Sequence, residues 1–104
     1  MPDFIDLAGA SGAAYRFRRL APESLPATAG NLVVAAGRTG RRQVVLCAAL
    51  PSLSQAAAAA ARALKGHPAA GLYVRLNVAR AVRDAEHADL LAGEASGAET
   101  LGSD

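Results

Sequence analysis

The 104-residue sequence predicts an α+β domain in which a small, mostly antiparallel sheet is flanked by two helices and preceded by a β-hairpin. Three observations predict it. Asn31 to Ala36 and Gln43 to Ala49 are continuous apolar runs, the pattern of strands covered on both faces. Leu53, Ala57, Ala60 and Leu64 recur at helical spacing. Gly71 to Asn77 alternates, and a second helical pattern follows it.

In chain order, Phe4 to Leu7 reads as a strand, Gly9-Ala10-Ser11-Gly12 as a turn, and Ala14 to Leu20 as the return strand. Tyr15 and Phe17 lie on one face of that strand, Arg16 and Arg18 on the other. Pro22 to Gly30 is an aperiodic connector, and Gly37-Arg38-Thr39-Gly40 turns the chain between the two apolar strands. Ser52 and Gln55 form a capping-box pattern ahead of the first helix, and Gly66 ends it. On the second helix, Val78 to Ala92, the residues Val78, Val82 and Ala85 share one face, predicted to be buried; Arg80, Arg83 and His87 share the opposite one. Residues 1–93 read as one domain, with residues 1–20 the hairpin and 30–92 the core. Residues 94–104 are Gly/Ser/Glu-rich and read as a disordered tail.

Aromatic residues make up 4% of the chain and Trp is absent, so the core must be built from Ala, Val and Leu. A single cysteine excludes an internal disulfide, and Asp3 and Asp6 stand where a secretory signal would be basic. No apolar stretch approaches the roughly 18 residues of a membrane span. The expectation is a cytoplasmic protein with no membrane partner. The formal charge is +2, but residues 1–93 carry a surplus of five positive charges because the tail is wholly acidic. Ten of the eleven basic residues are Arg, which with the alanine excess points to a GC-rich genome as well as to function. A basic surface of this size suits nucleic acid or an acidic protein surface, and equally plain solubility.

The chemistry-bearing residues form no complete constellation. Cys47 sits in an apolar strand and reads as a buried, inert thiol. His67 and His87 have no partner at ligand spacing, so no metal and no cofactor are expected. Gly9-Ala10-Ser11-Gly12 lacks the spacing of a nucleophile turn. The segment Gly37 to Arg42 reads as a solvated hairpin tip, or as a phosphate contact through its guanidinium groups. Glu86 and His87 are neighbours in sequence only, because adjacent helix residues point about 100° apart.

From Gly30 to Leu91 the order strand, turn, strand, helix, strand, helix resembles the GIY-YIG endonuclease domain. Gly30-Asn31-Leu32 stands where that family writes G-x-Y, and Leu46-Cys47-Ala48 where it writes Y-x-G. Leu50-Pro51-Ser52-Leu53 falls where it often writes T-x-N-L. In the family the tyrosines activate water, an arginine on the first helix steadies the phosphate, and a glutamate on the later helix holds a divalent metal. Here those places read Leu32, Leu46 and Ala56. The metal motif E-x-x-L-I aligns with His87-Ala88-Asp89-Leu90-Leu91, leaving Glu86 one residue out of register.

The resemblance therefore implies a GIY-YIG-like domain without catalytic residues, acting as a binding module. Arg38, Arg41 and Arg42 in the turn and Arg80, Arg83 and His87 on the second helix are the candidate nucleic-acid contacts. The alternative is a protein-interaction module that docks through Ala56 to Ala61 or through the hairpin. An active nuclease or other hydrolase using Asp84, Glu86 and His87 is the third reading.

Overall fold

The computed structural model describes residues 2–102. Five strands form where the sequence predicts them, to within one residue at each end: β1 (Phe4–Ala8), β2 (Ala14–Arg19), β3 (Gly30–Ala36), β4 (Gln43–Leu50) and β5 (Gly71–Leu76). Helices α1 (Ala57–Gly66) and α2 (Arg80–Ala92) follow β4 and β5 respectively, and a sixth strand, β6 (Glu99–Gly102), ends the described chain. All strands join one sheet in the order β1-β2-β5-β3-β4-β6, antiparallel except for the β4–β6 pair.

The continuous apolarity of β3 follows from its place between β5 and β4. Leu32 and Val34 meet Leu46, Ala48, Leu72 and Val74 on one face, closed by Leu53, Ala56 and Ala60 from the α1 side. Val33 and Ala35 meet Val44, Cys47 and Tyr73 on the other, closed by Leu90 of α2 and by Ile5, Leu7 and Phe17 of the hairpin. Between Val34 and Ala35 the register shifts, so that they face Leu46 and Val44 with Val45 left over, the signature of a β-bulge.

The hairpin belongs to the sheet only at its root. β2 pairs with β5 through Arg18↔Val74 and Arg19↔Tyr73 alone. Beyond that point the inner residues of the hairpin cover the α2 side, and its tip is tied to the end of α2. The backbone N–H and hydroxyl of Ser11 and the hydroxyl of Tyr15 all donate to the Asp89 carboxylate, at 2.9, 2.6 and 2.6 Å. These donors hold the Asp89 carboxyl below the usual carboxylate range, Ser11 hydroxyl first and Tyr15 next. The contact requires glycine: a Cβ on Gly9 would overlap the Asp89 carboxylate, and one on Gly93 would overlap the backbone of Ala8 to Ala10.

Three expectations are corrected. α2 forms, but its faces are exchanged: Arg83 and His87 are buried, 6% and 3% exposed, while Val78 and Val82 are 76% and 48% exposed. Its one large, fully buried apolar residue, Leu90, brings His87, Glu86 and Arg83 inward with it at helical spacing, and the sheet beneath supplies polar partners for them.

Residues 94–102 of the expected disordered tail are ordered. Ala95 is fully buried, and β6 runs parallel to β4 with Cys47↔Thr100 and Ala48↔Leu101 in register, so main-chain pairing holds a segment with few apolar side chains. Ser103 and Asp104 lie outside the described residues.

Ser52 does not cap through its side chain. A 3-10 turn, Leu53–Ala56, precedes α1, and the Ser52 hydroxyl bonds that of Ser54 at 2.8 Å instead of a backbone donor. In the run Ala56 to Ala61, Ala56 and Ala60 are fully buried in the core while Ala58 and Ala61 are exposed.

Candidate nucleic-acid interface

Of the six candidate contacts, the structure separates those on α2 from those in the β3–β4 turn. Arg83 points inward and donates from Nη1 to the carbonyls of Asn77 and Val78, at 3.2 and 2.9 Å. Its guanidinium has no carboxylate within ion-pair distance among the described residues, and its Nε is buried without an acceptor. His87 lies 3.6 Å from the Cys47 sulfur through Nδ1. Burial pushes the Cys47 thiol up to about 12 and the His87 imidazole down, against the opposing pull of Asp84, so both are neutral near pH 7. A protonated thiol buried against a neutral imidazole is a packing contact, not an activated nucleophile. Arg80 is exposed and shares its charge with Asp84 at 3.4 Å.

Around Arg83 the space between α2 and the sheet is a connected polar cluster. Asn31 donates to the Arg83 carbonyl at 3.1 Å, and Asn77 donates to both Asn31 and Glu86 at 2.9 Å. Arg75 pairs with Glu86 at 2.8 Å and lies over the Tyr15 ring, 5.5 Å from its centre. Glu86 is therefore committed to Arg75 and Asn77. The places that resemble the family's tyrosines hold buried core: Leu32 and Leu46 face α1, on the opposite side of the sheet from His87. Among the described residues no group of three or more His, Cys, Asp or Glu side chains stands close enough to hold a metal. Among the described residues no helix is long and apolar enough to cross a membrane.

The turn Gly37 to Arg42 is placed differently. Arg42 folds back on it, donating to the Gly37 carbonyl and the Thr39 hydroxyl at 3.1 and 3.3 Å, which leaves Arg38 and Arg41 exposed. Thr39 and Gly40 share a shallow depression with Asp6, Ala8 and Ala14 of the hairpin. The positive charge of Arg42 reaches Asp6, adding to the Arg16 hydrogen bond that chiefly lowers that carboxyl.

The outer face of the hairpin thus meets the turn at Asp6 and Ala8, and it carries residues that the sequence pattern alone did not mark. Phe4 and Arg18 are direct cross-strand partners, as are Asp6 and Arg16. Phe4 is 52% exposed, with the Arg16 guanidinium 5.8 Å from its ring centre. Arg16 is oriented by Asp6 through two bonds, at 3.0 and 3.2 Å. Where the hairpin leaves the sheet, Phe4, Arg16 and Arg18 line an open concavity with Val74, Arg75 and Leu76, and Leu76 is 60% exposed. Arg18 has no carboxylate partner among the described residues. The signal for this site was the Arg16/Arg18 alternation combined with hairpin register, which puts Phe4 beside Arg18.

Comparison with protein-family models, with curated proteins and with solved structures returned no match.

Proposed function

We propose that this chain is a non-catalytic binding module, GIY-YIG-like in its core, that contacts nucleic acid through the outer face of its hairpin and the neighbouring β3–β4 turn. One observation carries the reading. An exposed aromatic ring lines an open concavity with Arg16 and Arg18, and Asp6, which bonds Arg16, lines a second depression that reaches Thr39 and Gly40 of the turn bearing the exposed Arg38 and Arg41. Guanidinium groups meet phosphates, and an accessible ring meets bases. The core order β3, β4, α1, β5, α2, with β3 between its two neighbours, supports the likeness in architecture. Leucines filling the core at 32 and 46, and Glu86 tied to Arg75 and Asn77, support a role without phosphodiester hydrolysis.

The test is a salt titration of the purified chain with a labelled oligonucleotide, read by fluorescence anisotropy. Binding that weakens steeply with salt, with a slope reduced by about one when Arg18→Ala or Arg41→Ala removes a phosphate contact, is the expected result. Absence of binding at low salt refutes the reading. A second reading, docking of a partner protein, is favoured by exposed Val78, just before α2, and Val82 on it. It predicts a complex nearly indifferent to salt and weakened by Val82→Asp.

A further inference from the structure

We infer that the concavity at the hairpin root takes an unpaired nucleobase, so that the module prefers single-stranded nucleic acid to duplex. The inference rests on the nucleic-acid reading above and goes beyond it in naming the form of the strand.

Phe4 is the first residue of an edge strand, and it is about half exposed, at 52%, where burial in a core would be the rule. The Arg16 guanidinium stands 5.8 Å from its ring centre and is itself oriented by two bonds to Asp6, which narrows the positions the ring samples. A positioned, solvent-facing ring costs little further side-chain entropy on binding, which suits it to stacking. Leu76, also largely exposed, borders the same concavity from β5 and offers a second apolar surface there. Arg18, opposite Phe4 in register and free of any carboxylate partner among the described residues, supplies a cation beside the ring.

This pairing of apolar surface with a free guanidinium matches a nucleotide, whose base has a π-face and whose phosphate is anionic, better than it matches a purely apolar protein segment. In a duplex the base faces are covered by their neighbours in the stack. Only an unpaired or splayed base can present one to Phe4.

The experiment compares binding of the full chain to an oligonucleotide of about a dozen nucleotides, single-stranded and annealed to its complement, in DNA and RNA versions, by anisotropy at low salt. The single strand is expected to bind at least about fivefold more tightly than the duplex. Phe4→Ala should erase that preference while leaving salt-sensitive binding to both forms, and Phe4→Tyr, which keeps the ring, should restore it. Leu76→Ala, on a different strand, is the second variant and should narrow the preference without altering β1. Circular dichroism checks the fold of each variant. Equal affinity for the two forms, unchanged by Phe4→Ala and Leu76→Ala, overturns this inference and leaves the nucleic-acid reading standing. Absence of binding to either form overturns both.

Discussion

Under α1 the sheet presents Leu32, Val34, Leu46, Leu72 and Val74, and the helix answers with alanines; under α2 it presents Asn31, Arg75 and Tyr73, and the helix answers with Arg83, Glu86, His87 and Leu90. All three buried polar residues among those described, Asn31, Arg83 and His87, lie on the α2 side. The first face depends on removing apolar surface from water, the second on satisfying donors and acceptors that have already been removed. An apolar contact tolerates small shifts, whereas a hydrogen-bonded cluster fixes the rotation of its helix about its own axis. That is how α2 comes to leave Val82, and Val78 just ahead of it, in solvent.

The comparison predicts unequal responses to substitution. Leu72→Ala on the α1 side should cost about 2–5 kcal/mol in denaturant unfolding, through lost burial and the cavity left behind. Asn31→Ala on the α2 side should cost about 1–3 kcal/mol, because the Arg83 carbonyl loses its donor and Asn77 loses one of two acceptors. Arg83→Met should lie within about 1 kcal/mol of the parent, since relief of a buried charge that has no carboxylate partner offsets the bonds lost to the Asn77 and Val78 carbonyls, and Met keeps the apolar part of the side chain. If Arg83→Met is as costly as Leu72→Ala, the guanidinium is a principal support of the fold and the contrast between the faces fails.

The buried imidazole adds a pH dependence that the α1 side lacks. His87 is held below its ordinary value of 6.5 by burial. Above 6.5 it is neutral in both the folded and the unfolded chain and contributes no slope. As pH falls through 6.5 toward the lowered folded value, the unfolded chain takes up a proton that the folded one refuses, so stability falls. Melting temperatures measured downward from pH 7.5 should therefore decline across this window, and His87→Gln should flatten the decline. A variant that keeps the full slope would place its origin elsewhere.

The smallest effect is expected at Ser52. Its hydroxyl touches only Ser54, so Ser52→Ala should change stability by less than about 0.5 kcal/mol in place of the roughly 1 kcal/mol of a lost helix cap. A loss of the larger size would mean that the hydroxyl caps the 3-10 turn after all.

These cases also mark how far the sequence could be read. β3 and β4 were legible because burial on both faces leaves a continuous apolar run, and α1 because its stripe has a single sign. For α2 the period was legible but its phase was not. Val78, Val82 and Ala85 make one stripe and Arg83, Glu86 and His87 another of equal regularity. The choice between them depends on Asn31 and Arg75, which come from other strands. β6 left no signal because its support is main-chain pairing with β4. Of the candidate contacts, the turn arginines were legible as solvent-facing charge. Phe4 and Arg18 became a candidate site only once hairpin register and the departure from β5 were known.

The central claim is that Arg83 of α2 serves the fold while the exposed arginines of the hairpin and turn meet the proposed ligand. A nuclear magnetic resonance titration of the labelled chain with a single-stranded oligonucleotide tests it most directly, because every backbone amide reports separately. The account predicts shift changes concentrated at Phe4, Arg16, Arg18, Arg38, Arg41 and Leu76, with Arg83 and His87 unmoved. Changes concentrated from Val78 to Ala92, with the hairpin silent, would contradict it.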